Sequence, residues 1–424
     1  MQRRQFMQGA GAAALLAAGT GCATTGQTPR GNVVVVGGGY GGATAAKYLR
    51  MWSNGGLNVT LVEPNANFIS CPLSNLVLGG SRQIADLTVP YDALVSRHGI
   101  KLVRDSVVGI DAAKRTVRLA GGQSLPYDRL ILSPGIDLSY ASMPGMASKA
   151  AQERVLHAWK AGPQTVALRR QLEAMPDGGV YAITIPTAPY RCPPGPYERA
   201  CQVAHYFSRA KPRSKVLILD ANADVTSKGA LFKRVWAERY KGIVEYRPQF
   251  VTADVDANAG MAISEFGDRV KANVLNVVPP QLAGEIAAKS GLANMNRRWC
   301  EVDYLTFEST QAPGVHVIGD AIQVAPLMPK SGHMANQHGK VVAAAVVDLL
   351  NGVAPNPLPM MTNTCYSFTS DQQVIHVASV HRFDAAKKTF LTVPGSGGVS
   401  PAPSEQEGAY AMNWARNIWA DSLM

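Results

Sequence analysis

Val33, Val34, Val35 and Val36 run without interruption into Gly37-Gly38-Gly39-Tyr40-Gly41-Gly42, and a helix-forming stretch follows over residues 43–49. An apolar run of this kind is a covered strand, and the turn behind it is a G-x-G-x-x-G. Gly37, Gly39 and Gly42 carry no side chain, so backbone N–H groups at the start of the helix can approach a pyrophosphate closely. A second strand over residues 58–62 ends in Glu63, about where an acidic residue meets a ribose hydroxyl. A tight strand-to-helix turn without a ligand would not call for Glu63, so the pattern reads as a dinucleotide site.

The chain has 424 residues, 17% of them charged, which suits two or three globular domains. Its first residues differ from the rest. Arg3-Arg4-Gln5-Phe6-Met7 precedes an Ala- and Leu-rich run over residues 9–19, with no acidic residue. A charged start and an apolar run too short to span a bilayer make an export signal. The paired arginines before Phe6 resemble a twin-arginine signal, a route for folded cargo already carrying its cofactor. Residues 1–28 are therefore expected to be removed and the mature protein to be periplasmic. Cys22 could carry a lipid, but Gly19-Thr20-Gly21 before it lacks the large aliphatic residue such sites carry. Removing residues 1–28 takes away Arg3 and Arg4 and lowers the net charge from +11 to +9. The remaining Lys and Arg are scattered, which describes a solvated basic surface or steering toward an acidic protein partner, not a nucleic-acid face. No later stretch supplies the ~20 apolar residues of a membrane span.

A first α/β block runs over residues 32–143. A second begins near Gly178, with a strand over residues 180–185, a helix over residues 197–209 and a strand over residues 215–219 ending in Asp220. Its topology is that of a nucleotide-binding unit, yet the segment after its first strand is Pro186-Thr187-Ala188-Pro189-Tyr190-Arg191-Cys192-Pro193-Pro194-Gly195-Pro196. Prolines offer no N–H, so a nicotinamide cofactor is not expected there. Further on, Val315-His316-Val317-Ile318-Gly319-Asp320 resembles the second flavin fingerprint of flavoproteins with two dinucleotide domains, whose Asp contacts the ribityl chain; Asp320 takes that place. A helix over residues 334–350 follows, its N-terminal dipole able to face a reduced flavin. Lys330 either counters charge on that flavin or faces solvent. The expected division is an FAD-binding domain split over residues 31–143 and 285–354, a second Rossmann-like domain over 144–284, and a C-terminal domain over 355–424. In the last, strands are expected over residues 373–378 and 390–393, and Tyr410, Trp414, Ile418 and Trp419 form a stripe suited to core packing.

Without Cys22, five cysteines remain: Cys71, Cys192, Cys201, Cys300 and Cys365. An odd number in an oxidising compartment leaves at least one unpaired or otherwise bonded. There is no C-x-x-C-H, so the chain attaches no c-type haem and its electrons need an outside acceptor. Cys201 and Cys300 read as small core residues. Glu198 is either a general acid or base or a helix-start residue favoured by the dipole.

Ile69-Ser70-Cys71-Pro72-Leu73-Ser74-Asn75, Tyr190 to Arg199, Met328-Pro329-Lys330-Ser331-Gly332 and Asn363-Thr364-Cys365-Tyr366-Ser367, together with the two flavin fingerprints, resemble the flavoprotein subunits of flavocytochrome c sulfide dehydrogenases over essentially the whole mature chain. The resemblance implies an α/β, glutathione-reductase-like fold with two Rossmann-type domains and a smaller C-terminal α+β interface domain. It also implies FAD linked through a thioether to Cys71, a redox disulfide between Cys192 and Cys365, sulfide as substrate and a c-type cytochrome subunit as partner. The blander alternatives are an ordinary buried thiol at Cys71 and a structural crosslink of two domains between Cys192 and Cys365. The chemistry is consistent: hydrosulfide is a soft nucleophile, and attack on a disulfide leaves a persulfide on one cysteine and a thiolate on the other. Pro193, Pro194 and Pro196 stiffen the loop that carries Cys192. Two rival readings are a sulfide:quinone oxidoreductase, which shares the fold but lies on the membrane, and a non-catalytic flavin electron-relay protein.

Overall fold

The computed structural model describes residues 30–424; the expected export segment and Cys22 lie outside the described residues. Strand β1 (Asn32–Val36) is buried at every residue after its first, as β-branched side chains on a covered strand should be. The chain turns at Gly37 into helix α1 (Tyr40–Trp52) and returns as β2 (Asn58–Val62), parallel to β1. A short helix α2 (Ser74–Gly79), β3 (Lys101–Val103) and β4 (Arg129–Leu132) follow, and β5 (Ile136–Leu138) leads out of this sheet.

The chain then builds a second parallel layer. Helix α3 (Pro163–Ala174) precedes β6 (Val180–Ile185), α4 (Gly195–Ala210), β7 (Lys215–Asp220), α5 (Gly229–Glu238), β8 (Val244–Arg247) and β9 (Val274–Val277). The strands lie in the order β8-β7-β6-β9, all parallel. Near-continuous apolar runs in β6 and β7 are what a sheet covered on both faces requires. Strand β10 (Gln281–Ala283) pairs antiparallel with β5, so exit and return are tied together.

Strands β11 (Val302–Asp303), β12 (Glu308–Ser309) and β13 (Val315–Val317) re-enter the first sheet and complete its seven-stranded order β11-β12-β13-β4-β1-β2-β3. Because β13 is parallel to β4, and β4 to β1, Gly319 and Asp320 emerge at the same carboxyl edge as the glycine turn. Ligands of open α/β sheets bind at that edge. Helix α6 (Gly332–Leu350), capped by Ser331 Oγ accepting from Met334 N at 3.0 Å, packs along α1. The approach is close: a Cβ on Gly339 would stand 2.6 Å from the Gly41 carbonyl oxygen.

The remaining chain forms an antiparallel sheet of β14 (Met360–Phe368), β15 (Val374–Asp384) and β16 (Thr389–Thr392), followed by α7 (Glu405–Leu423). Strand β14 has no counterpart in the expectations above. Its centre is Thr-Asn-Thr-Cys-Tyr-Ser, too polar to read as a strand, because its middle residues border a cavity instead of a dry core. Of the expected core stripe on α7, Ile418 is buried and Trp414 and Trp419 pack half-buried against the core, whereas Tyr410, 49% exposed, is the correction. The rest of the buried face is Gly408, Ala411, Ala415, Ser422 and Leu423, mostly small residues that let the helix lie close to the body. Asp421 fastens it, accepting from Tyr48 Oη at 2.5 Å and Asn336 Nδ2 at 2.7 Å and pairing with Lys340 at 2.9 Å.

Candidate active site

The glycine turn has the shape a dinucleotide needs. Gly37 has φ +94°, and a Cβ there would lie 2.3 Å from the Ser133 carbonyl oxygen; on Gly42 it would lie 1.9 Å from the Gly37 carbonyl oxygen. Gly39 is the contrast, with nothing within 4 Å of where its Cβ would be. That opening sits at the N-cap of α1, where no side chain caps the first-turn N–H groups. Glu63 is buried at the end of β2 and accepts from Gly38 N at 2.7 Å and from Asn65 N at 2.8 Å, so it braces the turn from behind.

Before this turn lies a cavity of about 220 Å³, bordered by Gly39, Cys71, Cys192, Glu198, Asp320 and Cys365 among others. Glu63 and Lys330 are not on its wall. Asp320 Oδ1 is buried with no hydrogen-bond partner among the described residues. A buried carboxylate oxygen left open at a cavity wall is destabilising unless a ligand hydroxyl fills it. The open glycine, the uncapped helix and this oxygen together fit FAD: Gly39 could meet the pyrophosphate and Asp320 the ribityl chain, while Gly37 and Gly42, off the cavity wall, allow the tight turn behind them.

Chain segments far apart in sequence bring the sulfurs to one place. Cys192 sits in the left-handed region at φ +58°, an unfavourable conformation for a non-glycine residue, held by Cys192 N donating to Lys330 O at 2.8 Å and Gly195 N donating to Cys192 O at 2.8 Å. Its sulfur lies over the N-terminus of α4: a Cβ on Gly195 would meet Cys192 Sγ at 2.9 Å and the Trp159 ring at 3.0 Å. Cys365 projects from β14, with Asn363 Nδ2 at 3.5 Å from Sγ, and Asn363 Oδ1 accepts from Ser331 Oγ at 2.7 Å. Both are free thiols in this structure, as are Cys71, Cys201 and Cys300. Burial pushes the Cys192 thiol well up, and Cys365 and Glu198 add to it; Arg191 and Lys228 pull it down. Burial also raises Cys365, opposed chiefly by Lys228. Cys201 and Cys300 are fully buried away from the cavity wall, Cys201 accepting from Trp236 Nε1 at 3.3 Å.

Glu198 lies in the first turn of α4, buried, accepting from Phe368 N at 2.9 Å and from Asn75 Nδ2 at 2.9 Å. Desolvation holds its carboxyl above the usual range. Asn75 Oδ1 accepts from Arg199 Nε at 3.0 Å, and Arg199 also donates to the His157 and Ala158 carbonyls. Sequence reasoning did not assign Asn75, Arg199 or Arg191, although all three lie within the quoted motifs. Arg191 borders the cavity, donates to the Trp159 carbonyl, and is raised by the electrostatic influence of Cys71, Asp320 and Cys192 against its desolvation.

Lys330 is the correction among the expected cofactor residues. Its side chain is buried, with Nζ donating to Asp320 O at 2.8 Å and Ile322 O at 2.6 Å and lying 3.6 Å from the centroid of the Trp299 ring. The ammonium turns to these acceptors and away from the cavity, so Lys330 shapes the loop that presents Asp320, and the cations on the cavity wall are Arg191 and Arg199.

In the second layer, Asp220 stands where an acidic residue would read a ribose. Its Oδ2 accepts from Tyr197 Oη at 2.7 Å and Tyr246 Oη at 3.1 Å, and its Oδ1 from Asn222 N at 2.9 Å. Two tyrosines close that end of the sheet.

The chain matches three family models: the pyridine nucleotide-disulphide oxidoreductase model over residues 31–172, the central model of the sulfide dehydrogenase (flavocytochrome c) flavoprotein chain over 165–279, and the flavocytochrome c sulphide dehydrogenase flavin-binding model over 357–423. It is 60% identical over 45 residues to the sulfide dehydrogenase (flavocytochrome c) flavoprotein chain of Chlorobaculum thiosulfatiphilum, covering 11% of this chain and 92% of that sequence. It is 24% identical over 302 residues to the mitochondrial sulfide:quinone oxidoreductase of Dictyostelium discoideum, a match that takes in 68% of this chain and 64% of that protein's length. Among solved structures, the sulfide:quinone oxidoreductase of Aquifex aeolicus superposes with a TM-score of 0.74 at 18% identity, covering 92% of this chain and 91% of the other. The fold is that of the FAD-dependent pyridine nucleotide-disulphide oxidoreductases, and the chain belongs to the family of flavoprotein chains of flavocytochrome c sulfide dehydrogenase.

Proposed function

We propose that this protein oxidises sulfide at the Cys192 and Cys365 pair beside FAD and passes the electrons to a c-type cytochrome. The observation that carries the reading is that Cys192, Cys365 and Glu198 border one cavity with Asp320 and the open glycine turn. With the two cysteines joined as a disulfide, hydrosulfide attacks one sulfur; the S–S bond breaks, a persulfide forms and the other cysteine leaves as a thiolate. The N-terminus of α4 favours negative charge at Cys192. Glu198, held above the usual carboxyl range by burial, is placed to take or return the sulfide proton. Bound FAD supplies the two-electron acceptor. Cys71 borders the same cavity, which supports a thioether to the flavin. The paired Arg3 and Arg4 before an apolar run support export to the periplasm.

Fold similarity to a sulfide:quinone oxidoreductase favours a second acceptor, a membrane quinone. Against it, the apolar face of α7 is packed into the body through Ala411, Ala415, Ile418 and Leu423, which leaves little of it for a bilayer. No helix among the described residues is long and apolar enough to cross a membrane. The test is anaerobic titration of the flavin-loaded protein with sulfide, then addition of a soluble c-type cytochrome or a short-chain quinone. Bleaching followed by reoxidation through the cytochrome is expected. Reoxidation by the quinone alone would favour the second acceptor, and no bleaching would leave only an electron relay.

A further inference from the structure

Lys228 is a buried ammonium that the reaction outlined above does not use. It immediately precedes α5, is 8% exposed, and has φ +57°, a backbone conformation better suited to glycine or asparagine. Its Nζ crosses to the antiparallel sheet and donates to Cys365 O at 2.8 Å, to Ser367 Oγ at 2.8 Å and, at 3.4 Å, to Ile375 O. All three acceptors are neutral, and among the described residues no carboxylate lies within ion-pair distance of it. Burying a cation on neutral acceptors and bending a non-glycine backbone are both unfavourable, and both fall on one residue. Burial lowers its pKa to about 8, opposed by Cys365, by Glu198 on α4, by Cys192 and by Glu407 on α7; the Phe232 ring centroid of α5 is 5.9 Å away.

We propose that Lys228 is a positioning residue of the cysteine pair: it clamps the Cys365 carbonyl so that the sulfur faces the cavity, and its ammonium stabilises the thiolate released when a Cys192–Cys365 disulfide opens. This rests on the reading of the pair as redox-active. When an incoming thiolate attacks, the S–S bond breaks, the attacked sulfur gains a new partner, and the leaving sulfur keeps the bonding electron pair. A positive charge held nearby, in a site that excludes water, lowers the energy of that product but not of the neutral disulfide. Electrostatics of this kind shifts the reduction equilibrium toward the open form.

The flavin-loaded wild type and Lys228→Met are equilibrated without oxygen in dithiothreitol buffers, quenched with an alkylating reagent and read by mass, with flavin absorbance recorded so that electrons on the ring are counted separately. The expected shift toward disulfide in Lys228→Met is roughly tenfold, about 30 mV for a two-electron couple. In a Cys192→Ser background, the pH at which Cys365 is half alkylated should rise by about one unit when Lys228 becomes Met. Lys228→Arg, which keeps the charge, should restore most of both. If Lys228→Met does not fold, Lys228→Gln keeps a donor to the Cys365 carbonyl without the charge and gives the same comparison. Shifts within roughly twofold in both assays, at unchanged flavin content and melting temperature, would overturn the role. Neither assay contains sulfide, so failure of sulfide to bleach the wild type would overturn the proposed activity while the Lys228 result stands separately. Failure of the wild type to form the disulfide at all would overturn both.

Discussion

Replacing Glu198 by Gln separates the proton-handling role of this side chain from its structural one. Asn75 is locked in orientation, because its Oδ1 accepts from Arg199 Nε at 3.0 Å; its Nδ2 must therefore face the residue at 198. Glutamine can offer its one oxygen either to Phe368 N or to Asn75 Nδ2, and its amide then meets the other donor. One buried donor loses its acceptor, which costs about 1–3 kcal/mol. The pH dependence opposes this loss. Burial raises the folded-state pKa of Glu198, so its contribution to stability is fully present below the unfolded value and is lost as pH rises through the folded value. Glutamine does not titrate, so the gap in stability between wild type and Glu198→Gln should narrow as pH rises across that window. The assay pairs denaturant melts at several pH values with rapid-mixing measurement of flavin bleaching by sulfide. Loss of a positioned acid or base should slow bleaching by roughly 100-fold or more. A folded Glu198→Gln protein that bleaches within roughly threefold of wild type would refute the assignment, since hydrogen bonding alone would then account for the residue.

Other outcomes follow from the same geometry. Gly42→Ala places a methyl 1.9 Å from the Gly37 carbonyl oxygen. It should destabilise the protein by roughly 3 kcal/mol or more and abolish flavin loading, read as the ratio of flavin to protein absorbance. Cys71→Ser should leave folding and flavin uptake intact but release the flavin on denaturation, so that fluorescence leaves the protein band on a denaturing gel; retention of that fluorescence would move the attachment elsewhere.

Much of the frame was legible because its signals are local. The valines of β1, the glycine turn and Gly319-Asp320 each encode their geometry within a few residues, and the parallel register of β13, β4 and β1 brings them to one edge. What failed depends on contacts distant in sequence. Strand β14 was missed because residues beside a cavity need no apolar alternation. Lys330 was placed at the flavin because a lysine in a motif near a cofactor invites that role, but its ammonium is held by the Asp320 and Ile322 carbonyls. Tyr410 shared a helical stripe with Trp414 and Ile418, yet the tight fit of Ala411 and Ala415 decides which face is covered. Lys228 carries no local signal at all, since its partners Cys365 and Ser367 lie on another sheet.

The central claim is tested most directly by mixing sulfide, without oxygen, with the flavin-loaded Cys192→Ser and Cys365→Ser proteins and following the flavin absorbance. The account predicts that wild type bleaches while both variants retain their FAD and their colour. Bleaching of either variant at the wild-type rate would mean that sulfide reaches the flavin without the cysteine pair, contradicting the account.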